Sequence, residues 1–166
     1  RNDIDVPPLK LAPTHRWVSA GEATSDVQVL TAEEVIDTRP ANCYARLYTA
    51  TKKGDSLSKA RKQETGKDGY FQAIRMTDDR PSHSLISQPQ HTLHWGECRE
   101  MTYREWKRLG SFPDDYHAKT DKIGKYMIGM SVPPKMTEQV ARAVCEQWLN
   151  VNYSELSNDN QAKNTD

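Results

Sequence analysis

The chain has 166 residues, enough for one domain or parts of two, and its 23 basic and 23 acidic side chains cancel to a formal net charge of zero. Global charge therefore argues neither for nor against a nucleic-acid partner, and a DNA-binding surface would have to come from local clustering. A hydrophobic content of 36% with a mean hydropathy of -0.87 is lean for a self-sufficient core, which suggests that other protein covers part of the surface.

Residues 1–18 carry Pro7, Pro8 and Pro13 before Trp17. Proline at this density predicts an extended connector. Ser19-Ala20-Gly21-Glu22 and Thr31-Ala32-Glu33-Glu34 are capping boxes that predict short helices near 20–25 and 32–37. Residues 40–90 lack long helical periodicity; Tyr44–Thr49 alternates and predicts a strand, as does Tyr70–Met76. Between them, Lys52, Lys53, Lys59, Arg61, Lys62 and Lys67 stand against Asp55, Glu64 and Asp68 in a stretch containing Gly and Ser. Its local excess of positive charge predicts a loop able to approach phosphates, although such a run is by itself usually a solvated face.

His91, His94 and Cys98 have spacings that could share one helical side near a metal. A fourth ligand is missing, so no zinc site is expected. Cys43, Cys98 and Cys145 are far apart and odd in number, which predicts free thiols in a reducing cytoplasm. No apolar run approaches the roughly 18 residues of a membrane span, no segment has a signal-peptide pattern, and Arg1 in place of Met suggests a piece of something longer.

From Arg99 to Tyr116 the pattern is densest. Thr102 and Glu105 form a third capping box, predicting a helix over 103–109, with Gly110 as a left-handed stop and Pro113 preventing a restart. Met101, Trp106 and Leu109 can share an apolar side, and Arg104 and Arg108 lie one turn apart. Residues 117–128 predict a linker that ends in the strand-type run Tyr126-Met127-Ile128. Ser131-Val132-Pro133-Pro134 opens a last helix, in which Val140, Ala141, Val144 and Trp148 make one apolar face. Residues 152–166 are polar and predict a disordered tail.

The pattern Arg-x-x-Thr-x-Arg-Glu-x-x-Arg-Leu-x-x-Phe-Pro-Asp, running from Arg99 to Asp114, resembles the ninth conserved motif of the DNA (cytosine-5)-methyltransferases. Fourteen residues separate Asp114 from Gly129-Met130-Ser131-Val132-Pro133-Pro134, which resembles their tenth motif, usually Gly-Asn-Ser-Val-Pro-Pro. The two occur in family order and at family-like spacing. More loosely, Arg1-Asn2-Asp3 resembles the close of the eighth motif, Val18–Val27 a following helix, and Asp79–Ile86 a strand leading back from the recognition domain.

The resemblance implies an α+β chain: a linker with short helices over 1–39 and a small β-rich target recognition domain over 40–98. Motifs nine and ten over 99–150 would then return to and complete an α/β catalytic core, ahead of the tail at 151–166. It implies double-stranded DNA as a partner, with Lys52, Lys53, Lys59 and Lys62 toward phosphates and Arg61, Gln63 and Arg75 toward purine edges. It implies S-adenosylmethionine as methyl donor, with Gly129, Met130, Ser131 and Val132 beside it, Met130 replacing the usual Asn. Arg104, Arg108, Phe112 and Asp114 match ninth-motif positions that organise the junction below the recognition domain.

The family reaction adds an enzyme cysteine to C6 of a flipped cytosine and methylates C5. Its Pro-Cys-Gln loop and its Gly-rich cofactor loop have no match here, since no cysteine follows a proline. The expectation is a catalytically silent C-terminal portion of a bacterial or phage enzyme that needs its N-terminal catalytic part. That part would cover the apolar faces of the 103–109 and 134–149 helices. The alternative is a stand-alone DNA-binding or regulatory module.

Overall fold

The computed structural model describes residues 7–13, 16–27, 30–39, 42–67, 73–88 and 92–149, with the side chains of 42–44 outside that description. The segment Arg1-Asn2-Asp3, His91, the first three residues of the Tyr70–Met76 run and the tail at 151–166 lie outside the described residues. The chain divides into two compact units, Trp17–Pro133 and a pairing of Arg1–Arg16 with Pro134–Asp166.

In the larger unit, helices α1 (Ala20–Ala23) and α2 (Ala32–Asp37) start where the capping boxes predict. At α2 both halves of the box form: Thr31 Oγ1 accepts from the Glu34 amide and the Glu34 carboxylate accepts from the Thr31 amide. Helix α3 (Asn42–Ala50) replaces the strand expected over Tyr44–Thr49. Its inward residues are Leu47, Tyr48 and, just beyond its end, Thr51, a spacing of one and four that buries a single helical side. Helix α4 (Leu57–Thr65) likewise replaces the expected basic loop. Ser56 caps its start, Leu57 and Ala60 anchor it, and Gly66 ends it at φ 68°, a left-handed conformation that glycine adopts without strain.

Strands β1 (Ile74–Arg75) and β2 (Thr92–Leu93) pair in parallel, Ile74 with Thr92 and Arg75 with Leu93. Antiparallel bridges extend them on both sides, Ser56 with Ile74 and Leu93 with Glu100. The start of α4 and the approach to α5 (Tyr103–Leu109) are thereby tied to one narrow ribbon. The architecture is mixed α and β, but among the described residues the 40–98 interval holds more helix than strand, in contrast to the β-rich insert expected there.

Helix α6 (Asp121–Met130) occupies the expected linker and its strand-type end. Thr120 caps it, while Gly124, Lys125 and Ile128 turn inward. Gly124 permits the contact: a methyl there would overlap the Tyr103 ring. One core gathers Ala20, Met76, Met101, Tyr103, Trp106 and Ile128; a second gathers Leu47, Tyr48, Leu57, Ala60, Ala73 and Leu93. Trp106 is fully buried, so the apolar side of α5 is covered by the chain itself and not left for a partner, in contrast to the expectation. The stop after α5 also differs in detail. Gly110 keeps φ at -82°, and the left-handed residue is Ser111, at φ 58°.

In the smaller unit, α7 (Pro134–Val144) begins at the second proline of the predicted opening and runs into a π-helical turn at Cys145–Leu149. Proline suits that first turn because it has no amide to leave unpaired. The extended connector docks on the end of this helix. Gln147 accepts from the Lys10 amide and donates to the Lys10 carbonyl, and the Trp148 indole donates to the Pro7 carbonyl. The helix's apolar face is thus partly covered: Ala143 is buried, whereas Met136 and Leu149 stay exposed.

Candidate nucleic-acid interface and cofactor turn

The α5 junction is built from ion pairs. Glu105, held at the helix start by its capping box, receives two hydrogen bonds of 2.8 Å from Arg99 and one of 2.7 Å from the Thr102 amide. Arg104 grips Glu34 of α2 through 2.7 and 2.8 Å bonds, and the pairing holds that carboxyl below its ordinary pKa. Arg108 grips Asp114 with two bonds and also reaches Asp26. Lys107 donates to the Asp114 carbonyl. Phe112 packs against the first core and lies 4.9 Å from Tyr116 between ring centroids. Arg104, Arg108, Phe112 and Asp114 are thus brought together in one structural knot. The partners Glu34 and Asp26 were missed in the sequence, since no local spacing links them to α5.

Beside this knot lies a polar cavity of about 320 Å³ lined by residues that include Thr24, His94, Trp95, Arg99 and Glu105. His94 Nδ1 accepts from the Gly96 and Glu97 amides, which leaves the imidazole proton on Nε2, 4.0 Å from Glu105. Burial, reinforced by nearby Arg99, lowers the His94 pKa, so the ring is neutral at pH 7. Among the described residues no cluster of His, Cys, Asp and Glu could hold a metal.

The basic residues sit on and around α4. Lys52, Lys62, Gln63 and Lys67 are exposed and Arg61 is half-buried. Lys53 pairs with Asp78 and Lys59 with Asp55. A small cleft of about 110 Å³ opens between Thr51, Lys52, Ser56, Lys59 and Gln63. Arg75 is differently employed. Its guanidinium lies 4.3 Å from the Tyr48 ring centroid and donates to the Trp95 and Thr51 carbonyls. In place of the base contact expected of it, Arg75 fastens α3 to the ribbon.

The turn after α6 is held from behind. A methyl on Gly129 would strike the backbone at Ile86 and Ser87, so only glycine lets these segments meet. Ser131 donates its hydroxyl to the Met127 carbonyl, closing the helix end. Met130 and Val132 project outward, 65% and 60% exposed. Packing around Cys98 pushes its pKa up, the opposite of thiolate activation, and Cys145 is exposed in the π-helical turn.

A family model described as C-5 cytosine-specific DNA methylase matches residues 14–146. The chain is 27% identical over 171 aligned residues to the type II methyltransferase M.BbvI of Brevibacillus brevis, an alignment covering 95% of this chain and 45% of that protein. It is 34% identical over 78 residues to M1.HphI of Haemophilus parahaemolyticus, covering 46% of this chain and 21% of that one. The chain therefore spans less than half the length of the curated relatives it matches. No solved structure matches it. Among the described residues no helix is long and apolar enough to cross a membrane.

Proposed function

This chain belongs to the C-5 cytosine-specific DNA methylase family, and from that premise we propose that it is the DNA-gripping, cofactor-completing portion of such an enzyme. The observation that carries the reading is that the family match over 14–146 runs through both the basic α4 region and the Gly129–Val132 turn. The methyl group would come from S-adenosylmethionine and go to C5 of a cytosine in duplex DNA, in a bacterial or phage cytoplasm. An N-terminal catalytic portion supplies the cysteine, because Cys98 and Cys145 lack the setting of a nucleophile and no Pro-Cys pair occurs in the sequence.

The residues present fit one wall of a methyl-donor site. Met130 and Val132 offer exposed apolar surface, and Gly129 and Ser131 fix the turn that carries them. No charged partner for the donor's amino-acid end stands in this turn, so that end is bound by the catalytic portion. The donor supplies an electrophilic methyl group.

On the DNA side, Lys52, Lys53, Lys59 and Lys62 approach phosphates, and Arg61 and Gln63 stand nearest the bases. Arg75 supports the surface from inside. The test is duplex binding by the full chain across a salt series. Changing Lys52 and Lys62 to Ala should flatten the log–log salt slope by up to about 0.9 for each phosphate no longer neutralised. An unchanged slope removes α4 from the DNA surface.

A further inference from the structure

We infer that the outer face of α6 is the surface on which the catalytic portion of the enzyme docks. Ile123, Tyr126, Met127 and Met130 follow one another at spacings of three, one and three, which puts all four on one helical stripe. Each is exposed, between 41% and 65%. The opposite side of the same helix is already used, with Gly124 against Tyr103 and Ile128 in the core. A helix already packed on one side and apolar on its exposed side has a second surface left to bury. A contiguous exposed apolar patch on an otherwise lean, charged chain marks an interaction surface.

The occupant follows from two further observations, and the inference rests on the function proposed above. The stripe ends at Met130, within the segment read there as a wall of the cofactor site, where Val132 is also exposed. Protein seated on the stripe would therefore also close on that turn. In addition, more than half of the Brevibacillus brevis relative has no counterpart in this chain. Gly129 locks the turn to Ile86, so stripe and turn present one fixed surface.

The experiment pairs the full chain with the part of the Brevibacillus brevis relative outside the aligned region, expressed as a separate polypeptide. Sedimentation velocity reads the association. Ile123→Lys with Met127→Glu places opposite charges one turn apart on the stripe without changing net charge. Lys122→Ala, exposed on the same helix beside the stripe, is the control. Circular dichroism and duplex binding confirm that each variant is folded.

The expected result is a one-to-one complex that the double variant weakens at least tenfold and the control leaves intact. Equal binding by wild type and double variant overturns the docking surface but leaves the proposed function standing. No binding by the wild type overturns both. Self-association of the wild type, abolished by the double variant, also overturns the inference, because the occupant is then a second copy.

Discussion

Arg99 and Glu105 meet through two parallel 2.8 Å hydrogen bonds, with side chains only 9% and 2% exposed. The same carboxylate receives the Thr102 amide, so one acidic group both starts α5 and neutralises a buried guanidinium. Removing one member of a buried pair leaves the other charge uncompensated. Glu105→Gln leaves Arg99 only the exposed Glu97 carboxylate, 2.6 Å from its Nε, and is expected to cost about 3 kcal/mol, the lower end for that mechanism. Urea unfolding of the single variants and of Arg99→Met combined with Glu105→Leu measures it, and the double change should cost less than the two single changes summed.

Arg104 and Glu34 join two helices that are 70 positions apart in sequence. Arg104 is 42% exposed, so solvent screens the pair. Arg104→Ala should therefore destabilise by only about 1 kcal/mol despite the bidentate geometry. A drop in urea unfolding as large as that of Glu105→Gln would show that Arg104 carries more than this pairing.

Gly129 faces the Ile86 backbone, which cannot swing aside as a flexible side chain would. Gly129→Ala should destabilise by about 1–3 kcal/mol or more through overpacking. Hydrogen exchange should show weakened protection concentrated at the end of α6. Wild-type stability in this variant would mean that the close approach does not exist.

His94 gives the chain a pH dependence of known sign. Its folded pKa lies below the ordinary 6.5, so between the two values the unfolded chain binds more protons than the folded one. Stability should hold above about pH 6.5 and fall as the pH drops from there toward the lowered value. Burial raises the Glu100 carboxyl, which contributes the opposite slope below its own raised value. Comparing wild type with His94→Asn across pH 4–8 isolates the histidine, and the variant should be the less pH-sensitive in the upper part of that window.

The legible parts of this fold were the local ones. The boxes Thr31–Glu34 and Thr102–Glu105 are complete within four residues, so their helices could be read directly. Helix α3 was hidden because tyrosine and threonine favour strands and alternate over Tyr44–Thr49, whereas the burial of Leu47, Tyr48 and Thr51 is set by tertiary contacts. Helix α6 was hidden because glycine and lysine occupy its inward positions. Gly124 is required by the Tyr103 ring, and Lys125 is buried near Glu100, which offsets part of the burial penalty on its charge. At the candidate site, the motif residues could be picked from their pattern. Their partners Glu34, Asp26 and Ile86 could not, because only the folded chain brings them near.

The most direct measurement is methyl transfer from radiolabelled S-adenosylmethionine to duplex DNA. It compares this chain alone, the part of the Brevibacillus brevis relative outside the aligned region alone, and the two mixed. The expected result is incorporation only in the mixture, with the label in 5-methylcytosine. Incorporation by this chain alone, or none in a mixture that forms a stable complex on DNA, would contradict the account.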